Sequence, residues 1–114
     1  KQKTAYEIGE KPTGIRIPGY PSITIEADKK DVQMNLMNPE GNPCYFTFEI
    51  VLNDTDETIY TSKMVEPGKA ITEVTLEKAL AAGEYPATIK ITTASLTDGS
   101  AMNGANVETT IIAQ

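Results

Sequence analysis

Apolar residues recur at every second position through most of this chain. Val32-Gln33-Met34-Asn35-Leu36 alternates cleanly, which is the period of a half-buried strand. Tyr45 to Leu52 sets Phe46, Phe48, Ile50 and Leu52 on one face, and this run is expected to be a central strand. Thr58 to Met64 offers Ile59 and Thr61 to one side and Tyr60 and Ser62 to the other. Ala70 to Leu76 alternates less regularly. Tyr85 to Thr93 groups Tyr85, Ala87, Ile89 and Ile91, and Val107 to Ala113 groups Val107, Thr109 and Ile111. Ile15-Arg16-Ile17 and Ile23-Thr24-Ile25 are two short alternating pieces parted by Pro18-Gly19-Tyr20-Pro21. Proline within a strand belongs at a sheet edge, so these pieces read as one split edge strand.

Turn-forming residues punctuate the runs. Asn38-Pro39-Glu40-Gly41-Asn42-Pro43 is the densest such cluster, and Asn53 to Glu57 has hairpin length. Glu77-Lys78-Ala79-Leu80-Ala81-Ala82 collects helix formers and is stopped by Gly83. That predicts one or two helical turns near 77–82, too short to stand alone. Ser95 to Asn106 reads as a long loop, with Asp98-Gly99 and Asn103-Gly104 as turn pairs and Met102 at its apex. Residues 1–14 hold few apolar side chains and read as an N-terminal arm or tether. The expected architecture is one all-β sandwich over 15–114, with about seven strands at the usual spacing of ~8–12 residues.

Tyr85 follows Gly83-Glu84 at the start of a late strand, just after the Leu80-Ala81-Ala82 stretch. A tyrosine there is the corner signature of immunoglobulin-like sandwiches, its hydroxyl bonding backbone a few residues upstream, near Leu80 or Ala81. Further segments carry a resemblance: Asn38 to Phe46, Glu66-Pro67-Gly68-Lys69-Ala70, Ala82-Gly83-Glu84-Tyr85 and Met102-Asn103-Gly104-Ala105. With these, the region from about 32 to 112 resembles bacterial immunoglobulin-like domains, in particular small surface proteins of Gram-positive gut bacteria. The resemblance implies export and a cell-envelope location, possible through an N-terminal anchor upstream of Lys1. It implies no activity. Antibody-type domains carry an inter-sheet cysteine pair and a core tryptophan. Here Ala87 stands two residues after Tyr85, and Phe46 or Phe48 supplies the bulk.

Composition narrows the chemistry. Only 6% of residues are aromatic and tryptophan is absent, so the core is expected to be aliphatic. Sixteen acidic residues against ten basic give a formal net charge of -6. Such a surface disfavours nucleic acid and anionic lipid as partners. No run of residues is long and apolar enough to predict a membrane span. Cys44 is the single cysteine, which excludes an internal disulfide and predicts a buried thiol. With no histidine, Ser–His and Cys–His pairs and histidine metal sites are impossible. No glycine-rich phosphate loop is present. The chain is therefore expected to be no enzyme, to need no cofactor and to act as a monomer.

The remaining candidates are binding groups. Asp54, Asp56 and Glu57 within Asn53-Asp54-Thr55-Asp56-Glu57 are weak metal candidates of calcium type; solvated turn residues are the competing reading. Tyr45 and Tyr60 lie opposite the bulkier apolar sets and could form an exposed aromatic pair for sugar rings. Met102 and Asn103 in the long loop are further candidate contacts. Lys90 points away from the Tyr85–Ile91 face, which speaks against a buried Lys–Asn crosslink. Two functions follow as expectations. One is an extracellular spacer or adhesion module whose partner is a protein or glycan at the cell surface. The other is a small carbohydrate- or calcium-binding sandwich.

Overall fold

The structure, a computed structural model, describes residues 15–114. The expected arm at 1–14 lies outside the described residues. Seven strands form: β1 (Ile23–Ile25), β2 (Asp31–Met37), β3 (Cys44–Leu52), β4 (Glu57–Thr61), β5 (Ala70–Thr75), β6 (Gly83–Ser95) and β7 (Ala101–Ala113). They make a five-stranded sheet in the order β1-β7-β6-β3-β4 and a two-stranded sheet of β2 and β5. All pairings are antiparallel except β1 with β7, which run parallel from Ile23↔Ile111 to Ile25↔Ala113.

The core fills the space between the two sheets. From the large sheet come Phe46, Phe48, Ile50, Ile89, Ile91 and Ile111; from the small one, Val32, Met34, Leu36 and Val74. Phe46 and Phe48 meet edge to face with ring centroids 5.8 Å apart, the arrangement their quadrupoles favour. The remaining volume is aliphatic. The period-two pattern is thus literal: β2 alternates exposed and buried at every residue.

β3 itself is, as expected, an interior strand, between β6 and β4. Several other expectations are corrected. Ile15-Arg16-Ile17 joins no ladder. Pro18 and Pro21 donate no N–H, and the Arg16 backbone is engaged by the Asn42 side chain instead, at 2.7 and 3.0 Å. Only Ile23–Ile25 of the split strand pairs, at the edge of the sheet. No helix occurs among the described residues, and 77–82 is irregular. Its backbone groups go to distant partners: Glu77 N–H donates to the Ile59 carbonyl and the Leu80 carbonyl accepts from Asp28 N–H, both at 2.7 Å. Those tertiary bonds win over a helix too short to nucleate itself.

The expected 95–106 loop shrinks to 96–100, because β6 and β7 pair up to Ala94↔Ala101. Asn103-Gly104 is not a turn. It sits at a bulge, where β7 gains one residue between the pairs Ile91↔Ala105 and Thr93↔Met102. A Cβ at Gly104 would fall on the Ile91 carbonyl oxygen, so glycine permits the close approach. A second irregularity lies between Ile50↔Tyr60 and Val51↔Thr58. It breaks the alternation expected in β4: Ile59 is buried, and Tyr60 packs against the core beside it.

Candidate functional site

The molecule has two ends, and each is built from loops fastened by specific bonds. At one end the turn 53–56 follows β3. Asp56 takes φ 58° there, a left-handed conformation that Asp tolerates better than most residues. Glu57 then pairs with Lys78 at 2.8 Å. Tyr85 projects toward this end, and its hydroxyl donates to the Ala81 carbonyl at 2.7 Å. Gly83 at φ 154° packs below the Tyr85 ring, and Leu80 is buried beneath the corner. The cleft between Leu52, Thr55, Leu80, Tyr85 and Pro86 holds about 250 Å³, below the ~300–1,000 Å³ of ordinary ligand pockets. Among the described residues, no three acidic or thiol side chains gather as a metal-holding group. Asp54 and Asp56 are exposed.

Tyr45 and Tyr60 do not form one platform. Tyr45 is opposite Ala94 and faces outward from the large sheet. Tyr60 is opposite Ile50 and leans on the core. Burial pushes the Tyr60 phenol above its ordinary range. Met102 is not at a loop apex; it pairs with Thr93 within the ladder and packs against the core. Asn103 is exposed, and its carbonyl accepts from Thr93 Oγ1 at 2.8 Å. Lys90 is exposed on the outer face, between Glu49 and Asn106 in the register of β3, β6 and β7.

The other end gathers 15–17, 38–43, 66–69 and the 96–100 hairpin, and a buried amide network ties them together. Asn38 is fully buried. Its Nδ2 donates to the Cys44 and Val65 carbonyls, each at 2.9 Å, and its Oδ1 accepts from Asn42 Nδ2 at 2.7 Å. Its backbone bonds Gly68 and Lys69. Asn42, also buried, holds Arg16 through both backbone groups. The hairpin joins through Leu96 N–H, which donates to the Pro43 carbonyl at 3.2 Å. Within it, Ser100 N–H and Oγ donate to Asp98 Oδ1 at 3.0 and 2.7 Å. The Ser100 N–H above all, then its hydroxyl, hold the Asp98 carboxyl below the usual range.

Fastened loops make a rigid end, and apolar side chains stand on it. Ile17 and Leu96 flank Asn42-Pro43 and are 36% and 45% exposed. Met64, on the segment leading to 66–69, is 62% exposed. This end is the candidate contact surface. Sequence reasoning saw Asn38 and Asn42 only as turn formers. Their side-chain partners lie up to 27 residues away, and no local pattern reveals such bonds. Comparison with known protein families, with curated proteins and with solved structures finds no match to this chain.

Proposed function

We propose that the chain is an immunoglobulin-like sandwich serving as a non-catalytic extracellular spacer or adhesion module of a bacterial surface protein. The strand order supports the fold part. The pair β2–β5 facing the series β7-β6-β3 matches the B–E and G–F–C strands of that fold. Tyr85, bonded back to Ala81, matches its tyrosine corner. The sequence segments quoted above carry the bacterial surface attribution.

One observation carries the functional part: the described residues begin and end at opposite ends of the large sheet. Arg16 is bonded to Asn42, next to Cys44, which pairs with Ser95 at the hairpin end. Gln114 follows Ala113, which pairs with Gly83 at the far end of β6. The molecule measures 48 × 26 × 23 Å. In-line entry and exit let a sandwich extend a chain, while the braced loop end presents Ile17 and Leu96. The sequence has no histidine, which excludes Ser–His and Cys–His nucleophile pairs.

Immunolabelling and protease shaving of intact source cells test the location. Labelling before lysis is expected; labelling only after lysis defeats the proposal. Adhesion is tested by binding to immobilised surface glycoproteins, with Leu96→Asp and Ile17→Asp expected to abolish it without altering the circular dichroism spectrum. Equal binding by both variants removes the loop end as the contact.

A further inference from the structure

The large sheet ends in an incomplete edge. β1 covers only Ile111–Ala113 of β7, because the chain before Ile23 carries Pro18 and Pro21 and leans toward β2, where Tyr20 Oη accepts from Met37 N–H at 3.0 Å. The β7 edge upstream of Ile111 has no strand partner among the described residues. The side on which each residue bonds follows from the C-terminus. Gln114 N–H donates to the Ile25 carbonyl at 3.1 Å, so residue 114 faces β1. Strand backbones alternate, so Asn106 and Glu108 also turn both N–H and C=O outward. The open window runs from the Gly104 bulge to Thr110. Its midpoint is Val107, a half-buried apolar residue. The window has no proline, and Glu108 is its one charge, so it lacks the usual protection of an edge strand.

We propose that this window pairs antiparallel with the same window of a second copy, about a two-fold axis at Val107. The two sheets then join along this window alone: β1 of each copy already holds the edge beside Ile111–Ala113, so β7 of the other copy turns aside at its Gly104 bulge. Val107 meets its own copy on the inner side, adding apolar contact at the seam. Asn106 lies opposite Glu108 of the second copy and exchanges both backbone hydrogen bonds with it, and the reverse pair does the same. No like charges stand directly opposite. Lys90, directly across from Asn106 in the same sheet, lies on the row that ends at the second copy's Glu108 and complements it. An extended strand of another protein fits the window less well, since nothing in it selects a side chain other than its own. A seam this short buries less than the ~1,200 Å² of a stable interface, so the dimer is weak and forms by mass action.

Sedimentation equilibrium from the low-micromolar to the millimolar range, with hydrogen exchange over the same series, tests it. The expected result is monomer–dimer association and protection of the Asn106 and Glu108 amides that grows with concentration. Asn106→Glu sets a carboxylate against Glu108 of the second copy and is expected to abolish association, while Lys90 beside it keeps the fold intact. Adding Glu108→Lys to that variant turns the repulsion into attraction and is expected to restore the dimer. A monomer at all concentrations overturns the proposal. So does a dimer that persists in Asn106→Glu, and so do amides protected equally at every dilution, which would mean that the protein's own chain covers the edge.

Discussion

Asn38, like Asn42, makes three side-chain hydrogen bonds, and it is the more deeply buried of the two. Replacing it with Ala takes its amide from the Cys44 and Val65 carbonyls and its Oδ1 from Asn42 Nδ2 in a buried place; the Val65 carbonyl keeps Phe46 N–H, and each group left unpaired costs ~1–3 kcal/mol. Asn38→Ala is expected to lose about 3 kcal/mol in urea denaturation. Tyr85→Phe removes one bond at an exposed site, worth ~1 kcal/mol, and is expected to lower the melting temperature by roughly 5 °C. The reverse ranking would mean that the corner, not the amide network, holds the fold. Asp98 gives a pH signature. Its folded carboxyl is held low by Ser100, so its bonds are whole at neutral pH and lost as pH falls through that low value. NMR titration is expected to place Asp98 below the ordinary carboxylate range, and Ser100→Ala to raise it only part of the way, since the Ser100 N–H remains. Residue chemistry was only partly legible beforehand. Tyr85 announces itself by its distance from a glycine; Asn38 looks like any turn residue until distant carbonyls arrive.

Strands were legible because burial on one face writes period two into the sequence. β2 and β3 follow that pattern nearly residue by residue. The pattern failed where one extra residue shifts the ladder, in β4 and at the start of β7. Asn103-Gly104 has the composition of a hairpin turn, but here the glycine serves a bulge through its missing side chain, without a left-handed φ. The two uses differ in what a methyl group meets. Gly104→Ala collides with backbone, which yields little, whereas Gly99 at φ 76° has open space around it. Gly104→Ala is expected to cost about 2 kcal/mol, as overpacking does. Gly99→Ala is expected to cost about 1 kcal/mol through its left-handed conformation alone. Equal losses in denaturant titrations would remove the close approach as the reason for Gly104. The segment 77–82 failed differently. Its helix formers were read correctly as residues, but a six-residue piece obeys its tertiary partners.

At the scale of the molecule, a two-stranded sheet lies over a five-stranded one. Side chains at the margin, Tyr20 and Tyr60 among them, are therefore only partly covered. Burial still raises both phenols, and it raises the Cys44 thiol. Groups held neutral by the fold keep stability whole below their unfolded values, ~8.5 for thiol and ~10 for phenol, and lose it as pH rises through the raised folded values. Chemical denaturation is accordingly expected to show stability declining above about pH 9, and less steeply in Tyr60→Phe. An unchanged slope in that variant would remove Tyr60 from the account.

The parallel contact of β1 with β7 has one more consequence, and it is mechanical. Tension applied through the two ends of the described chain draws β1 back toward the hairpin end and β7 the opposite way. The ladder from Ile23↔Ile111 to Ile25↔Ala113, with the Gln114 bonds to Ile25 and Ala27, then carries the load in shear. Its bonds lie across the direction of pull and must break together, whereas a peeled hairpin yields one at a time. A contact of only three residue pairs becomes the element that sets the force at which the molecule gives way.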